Sequence, residues 1–184
     1  FMASTVPTGT ISSWLILEET WSPYRLEGDL TIGQTTRMTV NDGVELRISS
    51  NSVIDVQGIF EAGSATISST GFGARWGGLL MDGIVGSRID LSETLLVEGS
   101  PLITLAGRGE VSAQGVQFAR SAGADPLINI YSASESSLTR SVITSFSSSS
   151  TASGSFTTAS SLLHCKRIKG KEKIGHKDCL IFFS

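Results

Sequence analysis

Gly77-Gly-Leu-Leu-Met-Asp-Gly83 aligns without a gap on Pro101-Leu-Ile-Thr-Leu-Ala-Gly107, twenty-four residues further along. Pro101-Leu-Ile-Thr-Leu105 then recurs as Pro126-Leu-Ile-Asn-Ile130, after twenty-five. Ile89, Val111 and Leu138 follow at steps of 22 and 27, and Val116 matches Ile143 at 27. A period of this length, holding several short strands, marks a β-solenoid. One unit cannot bury its apolar face alone, so stacked units must share a continuous interior.

The local pattern agrees. Leu30-Thr-Ile32, Met38-Thr-Val40, Leu46-Arg-Ile48, Ile54-Asp-Val56, Ile103-Thr-Leu105 and Ile128-Asn-Ile130 each place two apolar side chains on one face of a strand. Gly, Asn, Asp and Ser punctuate the gaps, as turns demand. No stretch sustains a helical period, so helix is expected to be minor. A leucine-rich repeat would need a Leu/Asn consensus that is missing. An antiparallel sandwich would not require unit-to-unit register.

The order of several segments carries a resemblance. Trp21-Ser-Pro-Tyr24 is followed by Leu26-Glu-Gly-Asp-Leu-Thr-Ile32 and Asp42-Gly-Val-Glu-Leu46. Val56-Gln-Gly-Ile-Phe-Glu-Ala-Gly63 and Trp76-Gly-Gly-Leu79 come next. This arrangement resembles the opening of right-handed parallel β-helix repeat proteins of bacterial and archaeal cell surfaces. The likeness spans residues 14–146 and departs at Thr39-Val-Asn-Asp-Gly43, where that family has a Pro-Gly turn. It implies an all-β, right-handed parallel β-helix of about five to six coils, ending in an irregular C-terminal tail. Its motifs are structural, so they carry fold further than activity.

Four segments are expected. Residues 1–23 read as a cover over the open end of the solenoid, because an uncovered edge invites pairing with another chain. Residues 24–146 form the β-helix. Residues 147–163, within a Ser/Thr-rich run, read as a last coil or linker. Residues 164–184 are a basic tail, either disordered or not native to the fold. Lysine is absent from the first 165 residues and then appears five times, and both histidines and both cysteines share that tail. Residues 1–163 carry eight Arg against fifteen Asp/Glu, a balance of −7; residues 164–184 carry six Lys/Arg against two acids, +4. So abrupt a change suggests translation out of frame in an incomplete gene. Phe1 precedes Met2, and the chain reads as a fragment.

An acidic body with scattered charges excludes the basic face that nucleic acid requires. No apolar run approaches the ~20 residues of a membrane-spanning helix. The tail's His164, Cys165, His176 and Cys179 lack zinc-site spacing, since adjacent His-Cys chelates poorly. Cys165 and Cys179 could instead pair as a disulfide, and Lys166–Lys173 reads as a solvated charge run. Gly71-Phe-Gly-Ala-Arg-Trp-Gly-Gly78 superficially resembles a phosphate cradle but lacks the Lys and Ser/Thr that follow one. No cofactor and no metal are expected.

A β-helix catalytic site would need acids from neighbouring coils on one face, with Arg or Lys beside them. In the register read here, Asp82 stacks above Gly58 and below Ala106, and Asp90 lies opposite Ser112 and then Thr139. Neither gains a second carboxylate. Arg88 faces Glu110 as an exposed cross-coil ion pair. The carbohydrate-contact candidates are Trp21, Tyr24 and Trp76, joined by Phe72 in a notional aromatic platform; for Trp21 and Trp76 the preferred role is packing at coil corners and the N-terminal cover, where large rings close gaps. The expectation is a structural or adhesive module, extracellular or at the cell surface, with polysaccharide or other surface components as partners. End-to-end association is a further expectation. The alternative is a fragment of a carbohydrate-active enzyme of polysaccharide lyase or glycoside hydrolase type.

Overall fold

The computed structural model describes residues 3–71, 73–82, 85–106 and 109–120, and beyond them four strands at 128–131, 138–139, 144–147 and 179–180. The first coil holds β1 (Ser4–Thr5), β2 (Gly9–Ile11) and β3 (Leu15–Leu17). The second holds β4 (Tyr24–Leu26), β5 (Leu30–Ile32) and β6 (Arg37–Val40), and the third β7 (Glu45–Ile48), β8 (Val53–Val56) and β9 (Ile59–Ala62). β10 (Thr66–Ser69), β11 (Gly78–Asp82) and β12 (Arg88–Ser92) make the fourth; β13 (Leu95–Val97), β14 (Ile103–Ala106) and β15 (Glu110–Gln114) make the fifth. β16 (Gln117–Arg120), β17 (Ile128–Tyr131) and β18 (Leu138–Thr139) follow, then β19 (Thr144–Ser147) and β20 (Cys179–Leu180).

Each strand pairs in parallel with the strand three places on, giving three sheets that run the length of the stack. The exception is β20, which lies antiparallel to β17. The chain is therefore an all-β parallel solenoid, with one 3-10 turn at Glu19–Trp21 as its helical content among the described residues. No helix there is long and apolar enough to cross a membrane.

Alternation along each strand sends every second side chain inward, and coil-to-coil register turns those positions into columns. On the second face Leu30, Ile54, Leu79 and Ile103 stack on one another, and Ile128 continues their line. On the third, Met38, Phe60, Ile89 and Val111 do the same. On the first, Tyr24, Leu46, Ile67, Leu96 and Phe118 fill the remaining side. Apart from Ile128, whose place is given by strand register, these side chains merge into one buried core, each contributing roughly 1.5–3 kcal/mol when a Leu, Ile or Val is fully enclosed.

Turns between strands are clasped across coils by acidic side chains. The Val53 N–H donates to an Asp29 carboxylate oxygen at 3.0 Å, and the Ser64 N–H donates to Asp42 at 2.9 Å. Asp42 belongs to the turn that departs from the Pro-Gly pattern. Gly43 there sits at φ +75, so the left-handed position is still occupied by glycine and the turn closes.

The first coil corrects one expectation. Residues 1–23 were expected to lie over the open end, yet β1, β2 and β3 pair in register with β4, β5 and β6. That segment is itself a coil. Its strands are only two or three residues long, and in Leu15-Ile-Leu17 the middle side chain points outward, so the apolar run looks like a cap rather than a strand. Five coils follow from β4 to β18. Residues 148–163 and, apart from β20, the 164–184 tail lie outside the described residues, and with them His164, Cys165 and His176 of the zinc and disulfide readings.

Candidate functional site

The three aromatic residues singled out as sugar contacts do not form a platform. Tyr24 is 7% exposed and its hydroxyl is tied to the Glu18 backbone, accepting from its N–H at 3.0 Å and donating to its carbonyl at 3.1 Å. Trp76 is 0% exposed and its indole N–H donates to the Val97 carbonyl at 2.9 Å. Neither ring can meet a ligand. Trp21 is 63% exposed, which removes the packing role assigned to it. Phe72 lies outside the described residues.

The exposed ring that sequence reasoning passed over is Trp14, at 71%. It falls within residues 1–23, which the sequence reads as the cover of the solenoid. In the structure it immediately precedes β3, and the Arg37 guanidinium lies 5.7 Å from its ring centroid, a cation–π contact between the first and second coils.

Trp14 stands at the head of the third sheet's outer surface, and that surface is organised. Ile16, Thr39, Glu61, Asp90 and Ser112 occupy equivalent positions on β3, β6, β9, β12 and β15, one per coil. A parallel row runs Arg37, Ile59, Arg88, Glu110. This overturns the reading that Asp90 has no second carboxylate at its own position: Glu61 is its partner on β9. The step from Glu61 to Asp90 is 29 residues because the fourth coil carries longer turns, at 70–77 and 83–87, than the third. Those turns leave the strand register untouched.

Like charges directly opposite on paired strands are destabilising, and here each carboxylate has its own arginine. The Arg37 guanidinium lies 3.6 Å from Glu61, whose other oxygen accepts from the Thr39 hydroxyl at 3.3 Å. The Arg88 guanidinium lies 2.6 Å from Asp90. The expected Arg88–Glu110 pair is therefore corrected. Arg88 turns to the carboxylate two residues along its own strand, while Glu110 stays opposite it in register. A hydrogen bond to Asp90, and then attraction to the same carboxylate, raise the Arg88 pKa above its usual value, with Glu110 and Glu61 adding smaller pulls.

Around these residues lies an open depression of about 360 Å³, bordered by Glu61, Arg88, Asp90, Ser92, Ser112 and Gln114. The arrangement supplies donors and acceptors at a fixed pitch along the axis, beneath an exposed indole. Among the described residues, no three His, Cys, Asp or Glu side chains group as a metal site.

Because these ion pairs face water, they contribute little to folding. Arg88→Ala is expected to lower stability by no more than ~1 kcal/mol, read as the shift in urea midpoint at constant slope. A loss of several kcal/mol would mean that Arg88 ties its coil to the neighbouring ones, through Glu61 or Glu110, rather than furnishing the surface.

No protein-family model, curated protein or solved structure matches this chain.

Proposed function

We propose that this chain is a structural or adhesive β-solenoid module of a secreted or cell-surface protein. The observation that carries the reading is lateral. Outward side chains repeat once per coil, so the molecule offers long rows of evenly spaced groups instead of one enclosed point. Rows of that kind suit extended partners, such as polysaccharide, that touch many coils at once. The sequence resemblance to cell-surface β-helix proteins supports the location. End-to-end association belongs to the same reading, through the outer edges of β1, β2 and β3, which close their three sheets at one end.

Labelling intact cells that express the full chain with a membrane-impermeant reagent tests the location. Labelled or secreted protein is expected; retention in the cytoplasm would count decisively against the reading.

One observation favours a second reading, a fragment of a polysaccharide lyase or glycoside hydrolase. Glu61 and Asp90 are neighbours on adjacent coils with an arginine beside each, the kind of grouping such chemistry needs. Turnover of polygalacturonate or a similar polymer, abolished in the Glu61→Gln, Asp90→Asn double variant, would replace the module by the enzyme.

A further inference from the structure

We infer that the outer surface of the third sheet, from Trp14 to Ser112, is a binding site for a neutral, extended β-linked glycan strand lying along the solenoid axis. The inference rests on the module reading and names the ligand class and the surface that takes it.

Three observations converge. The first is Trp14. An indole left 71% exposed, held in place by a guanidinium at 5.7 Å, is a preorganised apolar plate in water. The C–H face of a pyranose ring packs on such a plate while its hydroxyls stay free for other partners.

The second is pitch. Equivalent positions on successive coils are ~4.8 Å apart, close to the advance of one pyranose in an extended β-linked chain. Thr39, Glu61, Asp90 and Ser112 thus place one hydroxyl or carboxylate per sugar. From Trp14 in the first coil to Ser112 in the fifth is four such steps, ~19 Å. A strand of four to five sugars would span it.

The third is charge. Arg37 is matched by Glu61 and Arg88 by Asp90. Fixed guanidinium–carboxylate pairs present a donor beside an acceptor, the complement of two adjacent hydroxyls. The balance leaves no excess positive charge to hold a uronate polymer, and Glu110 at the margin adds a negative one.

Calorimetric titration of the full chain with β-1,4-linked gluco-, xylo- and mannohexaose, their disaccharides, and hexagalacturonate tests this. At least one neutral hexasaccharide is expected to bind, about tenfold or more tighter than its disaccharide, as contacts accumulate along the row. Trp14→Ala is expected to weaken that binding about tenfold, the scale of one lost stacking contact. Arg47→Ala, on the first sheet, is expected to leave it unchanged. Because Trp14 is a surface residue, an unaltered thermal midpoint will show that its variant folds.

Failure of all neutral hexasaccharides to bind, equal binding by the Trp14 variant, or tighter binding of hexagalacturonate would each overturn the inference. Surface-labelled protein with no glycan affinity would remove the site and leave the module. Glycan affinity in a protein retained inside the cell would remove the location and leave the site.

Discussion

Gly58→Ala is expected to destabilise the fold by about 3 kcal/mol, the upper end of the range for forcing extra atoms into a packed region. Gly58 lies between β8 and β9, where the third coil passes over the second. Its N–H donates to the Ile32 carbonyl at 3.0 Å, and its own carbonyl accepts from the Arg88 N–H at 2.9 Å. A Cβ there would strike the backbone carbonyl oxygens of Gly33 and Thr36. Both belong to the coil beneath and neither is a flexible side chain. The coils must separate or the backbone must shift.

The loss should also be local. Strand β9 begins at Ile59 and carries Glu61, so amide exchange should quicken first in the second and third coils, with glycan affinity falling as Glu61 moves. Gly73→Ala is the control. Gly73 has φ +74 but nothing within 4 Å, so the substitution carries only the left-handed backbone cost, ~1 kcal/mol. Urea unfolding followed by far-ultraviolet dichroism separates the two. Equal losses would show that backbone conformation, not coil contact, decides the outcome.

The same neighbourhood shows what could be read from the chain and what could not. The stacking of Leu79, Ile103 and Ile128 was legible because β11, β14 and β17 succeed one another at steps of 24 and 25, with apolar positions in phase. Ile89, Val111 and Leu138 were legible for the same reason. The carboxylate neighbours Glu61 and Asp90 were not. Turn length is free to vary in a solenoid, since only the strands must stay in register, so the 29-residue step broke the apparent period where the candidate site lies. A search that aligned strands and ignored turn length would have matched Phe60-Glu-Ala62 to Ile89-Asp-Leu91.

The first coil was hidden by shortness. Two- and three-residue strands hold too few alternations to announce themselves, and Trp14 and Ile16 face outward where an apolar residue suggests the interior. Trp76 was legible as a packing residue because glycines follow it and a strand begins two residues on. Trp21 has the same bulk but no column to enter, and its aromatic identity alone could not tell the two apart.

Trp76→Ala is expected to cost ~3–5 kcal/mol, the range for removing a large buried aromatic. Against a total near 5–15 kcal/mol for an ordinary domain, that removes about a fifth or more. The ring is fully enclosed, and its backbone bridges the fourth and fifth coils. The Trp76 N–H donates to the Glu98 carbonyl at 3.1 Å, and its own carbonyl accepts from the Ser100 N–H at 2.9 Å. Deletion therefore empties a space beside a coil-to-coil junction. Trp76→Phe retains most of the bulk but takes away the indole donor, leaving the Val97 carbonyl without that bond. It should cost about 1–2 kcal/mol beyond any cavity. Fluorescence offers a direct check, because Trp14 and Trp21 are exposed and Trp76 is enclosed. The native emission should carry a short-wavelength component from Trp76, and Trp76→Phe should abolish it without unfolding the chain. A variant that keeps that component, or that loses less than 1 kcal/mol on truncation to alanine, would place the ring outside the shared core and break the link between the fourth and fifth coils described above.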